Sequence, residues 1–423
     1  MLANAWKIKD IRKKLLFILL ILFIYRLGSH IPLPGIDLAV LNAYVNGDTS
    51  VSNIFTLIAG GGVGSIFAMG IGPYITASII MQLLTVAIPK LEQMQKEGED
   101  GRKKIQQITR IVSVGLSFVQ AGATVYGYVY TQNGSLFHYS HFLVYAVAVL
   151  ALVTGTILIM WMGELLTEKG IGNGSSFIIF ANILSGLPIG AQSLLLMVAP
   201  DVENPVAGWI TLLVLLIVFA ALIAFVVLIQ DGERRIPVQY SRKGGGRQMY
   251  GNHTSFIPLK VNIAGVMSII FAISLLQFPQ QLSGFFPNSE VLVRIVSILS
   301  LRNWIGVVIY MVLIFMFTFF YTSFAVNPVE MAQNMKNNGG FIPGIRPGRP
   351  TSDFVSKSID RLSWIGAGFY CLIALAPILV QAFTGVQASF GGTTLLIVTG
   401  VALEFVKQLE SQLLMRHYKG FLS

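Results

Sequence analysis

Residues 111–163 read IVSVGLSFVQAGATVYGYVYTQNGSLFHYSHFLVYAVAVLALVTGTILIMWMG, and between Arg110 and Glu164 there is no Asp, Glu, Lys or Arg. A helix built from such a stretch is apolar all round and has no face to offer water. The same holds from Thr49 to Pro89 and from Leu362 to Leu403. Across the 423 residues, hydrophobic side chains make up 54% and charged ones 11%, against roughly 25% charged in an ordinary globular protein. The solvent for most of this chain is therefore lipid. Cys371 is the single cysteine, so an intrachain disulfide scaffold is excluded, and the composition excludes a disordered chain and a cytoplasmic enzyme.

About 20 apolar residues carry a helix across the roughly 30 Å hydrocarbon core. Ten segments qualify: Leu15–Leu27, Ile66–Ile88, Ile105–Tyr128, Phe142–Met162, Ser175–Gly190, Val206–Ile229, Val261–Phe278, Trp304–Phe324, Leu362–Phe383 and Thr393–Leu413. The period-2 alternation of a membrane β-barrel is absent. The first segment lacks a small-residue cleavage site and reads as a retained span. The fold class is an all-α polytopic membrane protein.

Basic residues in the loops set the orientation. Twenty-five of the 29 Lys and Arg fall in one alternate set of segments: 7–14, 90–104, 169, 234–260, 336–361 and 407–419. The opposite loops hold only Arg294 and Arg302, while Arg26 and Arg110 lie in or beside spans. Both termini are expected to be cytoplasmic. An even number of spans with a long basic loop in the middle predicts two five-helix halves, residues 1–200 and 201–423, of opposite orientation around a central pore. No residue-level repeat joins them, so this rests on topology.

Residues 53–72 depart from a plain bundle. Gly60, Gly61, Gly62, Gly64, Gly70 and Gly72 stand among Ile54, Phe55, Leu57, Ile58 and Phe67, and each glycine weakens a helix by about 1 kcal/mol relative to Ala. The plain reading is a small-residue packing interface. The sharper one is a short segment that re-enters the membrane, where irregular backbone survives only inside protein or along a cavity. A second departure is the pair of long basic loops, 231–260 and 326–361, with turn signals at Gly244–Gly246, Gly339–Gly340, Pro343–Gly344 and Pro347–Gly348 and interleaved aromatic residues. Positive-inside bias and anionic lipid explain their charge but not their length; a basic protruding surface also fits ribosomal RNA or an acidic protein partner.

The third departure is an absence. Transporters place ionisable residues near the bilayer centre, and the mid-span positions here carry no acid. Glu404 and Lys407 are three apart near the inner end of the last span, where a helix-face ion pair is the ordinary reading. His138 and His141 fall in an outer loop. Glu164 and Glu168 flank an interfacial loop and are poor candidates for catalysis. No phosphate-binding loop, metal-spaced Cys/His cluster or nucleophile with a base is present, so neither enzymatic chemistry nor a cofactor is implied. Inside the spans the polar residues are the amides Gln82, Gln120 and Asn262, for which interhelical hydrogen bonding of about 0.6 kcal/mol each is the simplest role.

Eight ordered blocks then point to a family: RLGSHIPLPGID (Arg26–Asp37), GIGPYITASIIMQLLTV (Gly70–Val86), EGEDGRKKIQQITR (Glu97–Arg110), GELLTEKGIGNGSS (Gly163–Ser176), ERRIPVQYSRK (Glu233–Lys243), PLKVNIAGV (Pro258–Val266), NPVEMAQNMKNNGGFIPGIRPG (Asn327–Gly348) and FGGTTLLIV (Phe390–Val398). Over nearly its whole length the chain resembles the SecY family, the channel subunits of bacterial protein translocases. That resemblance implies a plug over about residues 53–70, including Phe55, Leu57, Ile58, Gly60, Gly61, Gly62 and Gly64. It implies a pore ring of Ile71, Ile75, Ile179, Ile270 and Ile397, and a lateral gate of spans two and three against seven and eight with Gln82, Gln120 and Asn262 as its polar cluster. Arg234, Arg235, Arg242, Lys243, Arg247 and Arg346 fall where such proteins dock the ribosome and the SecA ATPase, which would supply the energy. SecE and SecG are the implied partner subunits. Signal sequences and translocating polypeptides are the implied cargo, membrane lipid the sideways exit, and the bacterial plasma membrane the site. Two other readings are weighed against this one: an inverted-repeat secondary transporter, which needs a membrane-embedded ionisable site, and a scaffold that only recruits a soluble partner, which leaves the glycine-rich segment unexplained.

Overall fold

Each of the ten apolar segments carries a helix, because a chain in lipid must satisfy its backbone hydrogen bonds within itself. The computed structural model describes residues 6, 8–37, 40–41, 64–129, 137–139, 141–198, 205–240, 255–283, 289–301, 303–384 and 392–419. Among them the first half contains α1 (Lys9–Gly28), α2 (Gly72–Ala87), α3 (Pro89–Lys96), α4 (Glu99–Val129), α5 (Phe142–Lys169) and α6 (Gly174–Val198). The second half contains α7 (Pro205–Asp231), β1 (Glu233–Tyr240), β2 (Ser255–Lys260), α8 (Met267–Ser283), α9 (Glu290–Leu299) and α10 (Trp304–Ala325). It continues with α11 (Pro328–Asn337), β3 (Gly340–Phe341), α12 (Arg349–Thr384) and α13 (Gly392–Lys419).

Several boundaries differ from the sequence-based expectation. The second span begins as helix at Gly72, not Ile66; residues 64–71 form turns. It ends where Pro89 holds Ile88 extended (φ −109°, ψ 112°), and α3 leaves at a 100° bend. The seventh span begins at Met267, and Val261–Val266 is an irregular turn. Glu164 and Glu168 lie in the last turns of α5, Glu168 just before the connection at residues 170–173 that leads to α6. The second basic loop is largely folded: Asn327 caps α11, its Oδ1 accepting from the Val329 and Glu330 N–H groups at 3.1 and 3.4 Å. α12 starts thirteen residues before the expected Leu362, about 20 Å of extra helix.

Among the described residues, α4, α5, α10 continued by α11, and α12 are each long and apolar enough to cross a membrane, and the bent pair α2–α3 makes a fifth. The apolar stretches described within α6, α7 and α8 are shorter, while α1 and α13 carry charges within their length. Arg110 and Glu164, the charges that bound the opening stretch, meet at 2.6 Å between Nε and Oε1, which fixes α4 and α5 as an antiparallel pair.

Two large cores organise the bundle. The first joins α1, α5 and α6 to Ile270 of α8 and to Ile397, Val401 and Leu409 of α13. The second packs α8, α10 and α12 with Leu396, and receives Ile79 from α2. The halves therefore meet twice: α6 lies against α7 and α13, and α2 and α4 lie against α8. A smaller core under the basic loops packs Ile236, Val238 and Leu259 on Ile342, Val355 and Ile359, beneath an antiparallel sheet of order β2–β1–β3. In that sheet Glu233 pairs with Lys260 and Gln239 with Phe341, so the two basic loops are one folded platform.

Candidate functional site

The five isoleucines at 71, 75, 179, 270 and 397 come from four separate stretches of chain and converge on the first core. Ile71, Ile179, Ile270 and Ile397 are buried members, and Ile75 packs against them while also touching the second core. Ile71 precedes α2, after a left-handed Gly70 (φ 54°). Ile75 follows one turn later, its N–H donating to the Ile71 carbonyl at 3.1 Å. Ile179, Ile270 and Ile397 project from α6, α8 and α13. Every one is β-branched and stiff at χ1, so the cluster holds its shape without a single polar group.

A cavity of about 480 Å³ opens above this cluster. On α6 its lining runs from Asn173 and Ser176 to Ile179, on α8 from Met267 to Ile270, and on α13 from Ser411 back to Ile397. On each helix the isoleucine is the lining residue farthest from the basic loops. Along α13 that path is fourteen residues, about 21 Å. The walls carry neutral amides and hydroxyls, including Gln230 and Asn262, and the mouth carries Lys260, Glu404 and Lys407. The expected Glu404–Lys407 pair does not form. Lys407 Nζ instead reaches Asp231 Oδ1 at 2.7 Å, at the end of the adjacent α7, and Glu404 Oε1 accepts from Gln408 Nε2 at 3.2 Å. The cavity thus grades from charged residues at its mouth to isoleucines at its far end.

The three amides do not form one hydrogen-bonded cluster. Gln82 on α2 donates from Nε2 to Ser78 Oγ at 3.4 Å, while its Oε1 and the Nε2 of Gln120 on α4 are buried without a partner. Asn262 lies in the turn before α8, where its Oδ1 accepts from the Gly265 N–H at 2.8 Å; this turn explains why it is not inside a span.

Of the glycine-rich segment, Gly64 falls within the described residues, while Phe55, Leu57, Ile58, Gly60, Gly61 and Gly62 lie outside them. The chain from Gly64 to Ile71 is fixed on all sides. Leu33 N–H donates to the Gly64 carbonyl at 2.8 Å and Ile66 N–H to the Ile31 carbonyl at 3.0 Å. Phe67 stacks on Tyr25 with centroids 5.9 Å apart. Gly155 of α5 lets the Ile66 carbonyl approach so closely that any Cβ there would overlap it. Sequence reading missed this anchoring; Gly155, one of two glycines in an apolar helix, was a weak signal for it.

On the platform, Arg234, Arg235 and Arg346 are exposed. Arg235 is tied to Glu233 at 2.6 Å. Arg346 sits in a turn between left-handed Gly344 (φ 81°) and Gly348 (φ 108°), with Thr351 Oγ1 donating to its carbonyl at 2.9 Å. Arg242, Lys243 and Arg247 lie outside the described residues. The polar wall residues Asn173, Ser176 and Gln230 were not singled out from sequence: neutral residues beside a loop carry no distinguishing pattern.

Apolar helices packed in two halves, with a cavity between α6 of the first and α7, α8, α10 and α13 of the second, have the architecture of a membrane channel. The SecY family model matches residues 65–406, and the chain belongs to the SecY family. It is 41% identical over 440 residues to a protein translocase subunit SecY of Streptomyces scabiei, covering 99% of each chain. It is 40% identical over 428 residues to that of Bacillus subtilis (strain 168), covering 100% of this chain and 99% of that one. Its fold is that of a solved protein-conducting channel (TM-score 0.64, 19% identity, 93% of this chain and 91% of that one). It is also that of Sec61 in a canine ribosome–channel complex (TM-score 0.60, 18% identity, 93% and 91%). The chain is thus a multi-pass protein-conducting channel subunit and not an enzyme.

Proposed function

We propose that Ile71, Ile75, Ile179, Ile270 and Ile397 form the seal of the resting channel and spread around a polypeptide in transit. The observation that carries this is their convergence on one apolar cluster, of which Ile179, Ile270 and Ile397 line the far end of the cavity. Such a ring needs no hydrogen bonds to its cargo, so it tolerates any sequence. Residues 53–70 act as the plug, with the anchored Gly64–Gly70 stretch as its base. A hydrophobic signal sequence enters between α2 and α4 on one side and α8 and α10 on the other, with Gln82, Gln120 and Asn262 lining this lateral gate, and leaves into lipid, its better solvent.

The basic platform docks the ribosome or the SecA ATPase through Arg234, Arg235, Arg242, Lys243, Arg247 and Arg346. Its protruding positive charge suits both nucleic acid and an acidic protein. SecE and SecG complete the complex in a bacterial plasma membrane, with both termini cytoplasmic, in accord with the basic-loop asymmetry. The test replaces the five isoleucines with glycine and measures resting ion flux in proteoliposomes. A rise in flux with assembly intact is expected; flux equal to that of the unaltered protein overturns the seal. Crosslinking of a stalled secretory chain to Ile71, Ile179 and Ile270 checks the path independently.

A further inference from the structure

Helix α9 (Glu290–Leu299) has no part in the cavity or the platform. We propose that it is an interfacial anchor that lies in the headgroup layer of the leaflet opposite the basic loops, with one flank in the acyl chains. Nine of its ten residues sort into three stripes, each at i, i+4 and i+7, and the tenth, Val293, stands 52% exposed on the opposite flank. Leu292, Val296 and Leu299 are half-buried, whereas Val291, Ile295 and Ile298 are exposed and apolar, and Glu290, Arg294 and Ser297 are exposed and polar. Among the described elements it packs on its neighbours α8 and α10, so the half-buried stripe faces the bundle. At about 100° per residue the polar stripe lies opposite that contact face, and the exposed apolar stripe forms the flank between them. A helix fully in water has no cause to leave Val291 at 68%, Ile295 at 39% and Ile298 at 37% exposure.

Three observations commit the flank to lipid. First, α10 runs 22 residues from Trp304, about 33 Å, which matches the hydrocarbon thickness and leaves Trp304, 74% exposed, at the boundary where tryptophan concentrates. Helix α9 ends five residues earlier, so it lies at that same depth. Second, the corner between them is rigid. The Asn303 N–H donates to the Ser300 carbonyl at 2.9 Å, and Gly306 admits that carbonyl where a Cβ would overlap it. Third, the exposed apolar surface continues onto the lipid-facing sides of both flanking helices at this end, with Phe278 on α8 and Ile305 and Val308 on α10. Arg294 in the polar stripe is placed to meet lipid phosphate. An amphipathic helix so disposed sinks about 5–10 Å into the headgroup–acyl boundary. Through its contact with α8 it sets the depth of the helix that closes against α2 and α4.

This inference needs only that α8 and α10 cross the membrane, not that α8 is a gate. The test uses the full chain with Cys371→Ser, which leaves no other cysteine, and single nitroxide-labelled cysteines along 290–299 in phosphatidylethanolamine/phosphatidylglycerol vesicles. Labels at Val291→Cys, Ile295→Cys and Ile298→Cys are expected to relax several-fold more with oxygen than with a water-soluble nickel chelate. Labels at Glu290→Cys, Arg294→Cys and Ser297→Cys should show the reverse. Equal nickel access for both stripes would place the helix in water. An apolar stripe shielded from both reagents would mean that protein covers it, a second copy if the shielding falls as the protein is diluted in lipid. Either result overturns the anchor, whatever becomes of the seal.

Discussion

The two places where the halves meet are built differently. Where α6 lies against α13, Phe177 meets Phe405 edge-on at 5.3 Å, and Ile178, Ile179 and Ile183 share the first core with Ile397, Val401 and Leu409. Lys14 Nζ on α1 also reaches Gln412 Oε1 on α13 at 3.5 Å. Where α2 and α4 lie against α8, Ile75 and Ile79 supply apolar contact to the second core. There, however, Gln82 Oε1, Gln120 Nε2, Ser268 Oγ and Gln277 Oε1 are buried without partners on those same three helices. A buried orphan costs about 1–3 kcal/mol each. The first seam is therefore mainly apolar packing, with Gln230 Oε1 on α7 as its one such group among the described residues, and the second gathers four. In the proposed function this asymmetry suits a hinge at α6 and α13 and a lateral gate at α2, α4 and α8.

The largest expected effect breaks the hinge. Phe177 is 8% exposed, and Phe177→Ala removes both its core volume and its edge-to-face contact, a loss of about 3–5 kcal/mol for a buried Phe. The melting temperature of the purified protein should fall by many degrees. If it stays within a degree or two, α6 and α13 are not the cohesive seam. The opposite sign is expected at the gate. Gln120→Leu keeps volume and removes the unpartnered Nε2, so it should favour the closed seam by up to about 1–3 kcal/mol, five-fold or more in the opening equilibrium. Reconstituted export of a client with a weakly hydrophobic signal sequence should slow accordingly, while resting ion flux stays low. Export as fast as that of the unaltered protein would show that the orphan amide does not bias the gate.

This contrast also marks what sequence could and could not reveal. The ten spans are legible because lipid leaves one solution for an apolar stretch of that length, and a helix covers each of them. What failed were the starts of two spans: α2 begins at Gly72, after the turns of residues 64–71, and not at Ile66, and Asn262 with Gly265 makes a turn where the apolar run suggested helix. The isoleucines came from resemblance alone, since Ile71 and Ile397 are among many isoleucines and only the fold brings them together. Orphaned amides are invisible in sequence for the same reason. Whether Gln120 finds a partner depends on neighbours far along the chain. The spacing of Glu404 and Lys407 was read on one helix, but the decisive partner, Asp231, stands on another.

That misread pair gives the smallest prediction. Lys407 and Asp231 are separated by 2.7 Å, but their side chains are 43% and 50% exposed. Water screens such a pair to about 0–1 kcal/mol, and at 0.1 M salt the screening length is about 10 Å. Lys407→Gln should therefore lower the melting temperature by no more than a degree or two, and raised salt should erase the difference. A fall comparable to that of Phe177→Ala would mean that charge, not apolar packing, keeps α13 seated on α7. The hinge would then soften with ionic strength, and its contrast with the gate would rest on electrostatics rather than on burial. A near-zero effect leaves the pair a different role. Lys407 lines the mouth of the cavity beside Lys260 and Glu404, and its bond to Asp231 sets where that ammonium stands.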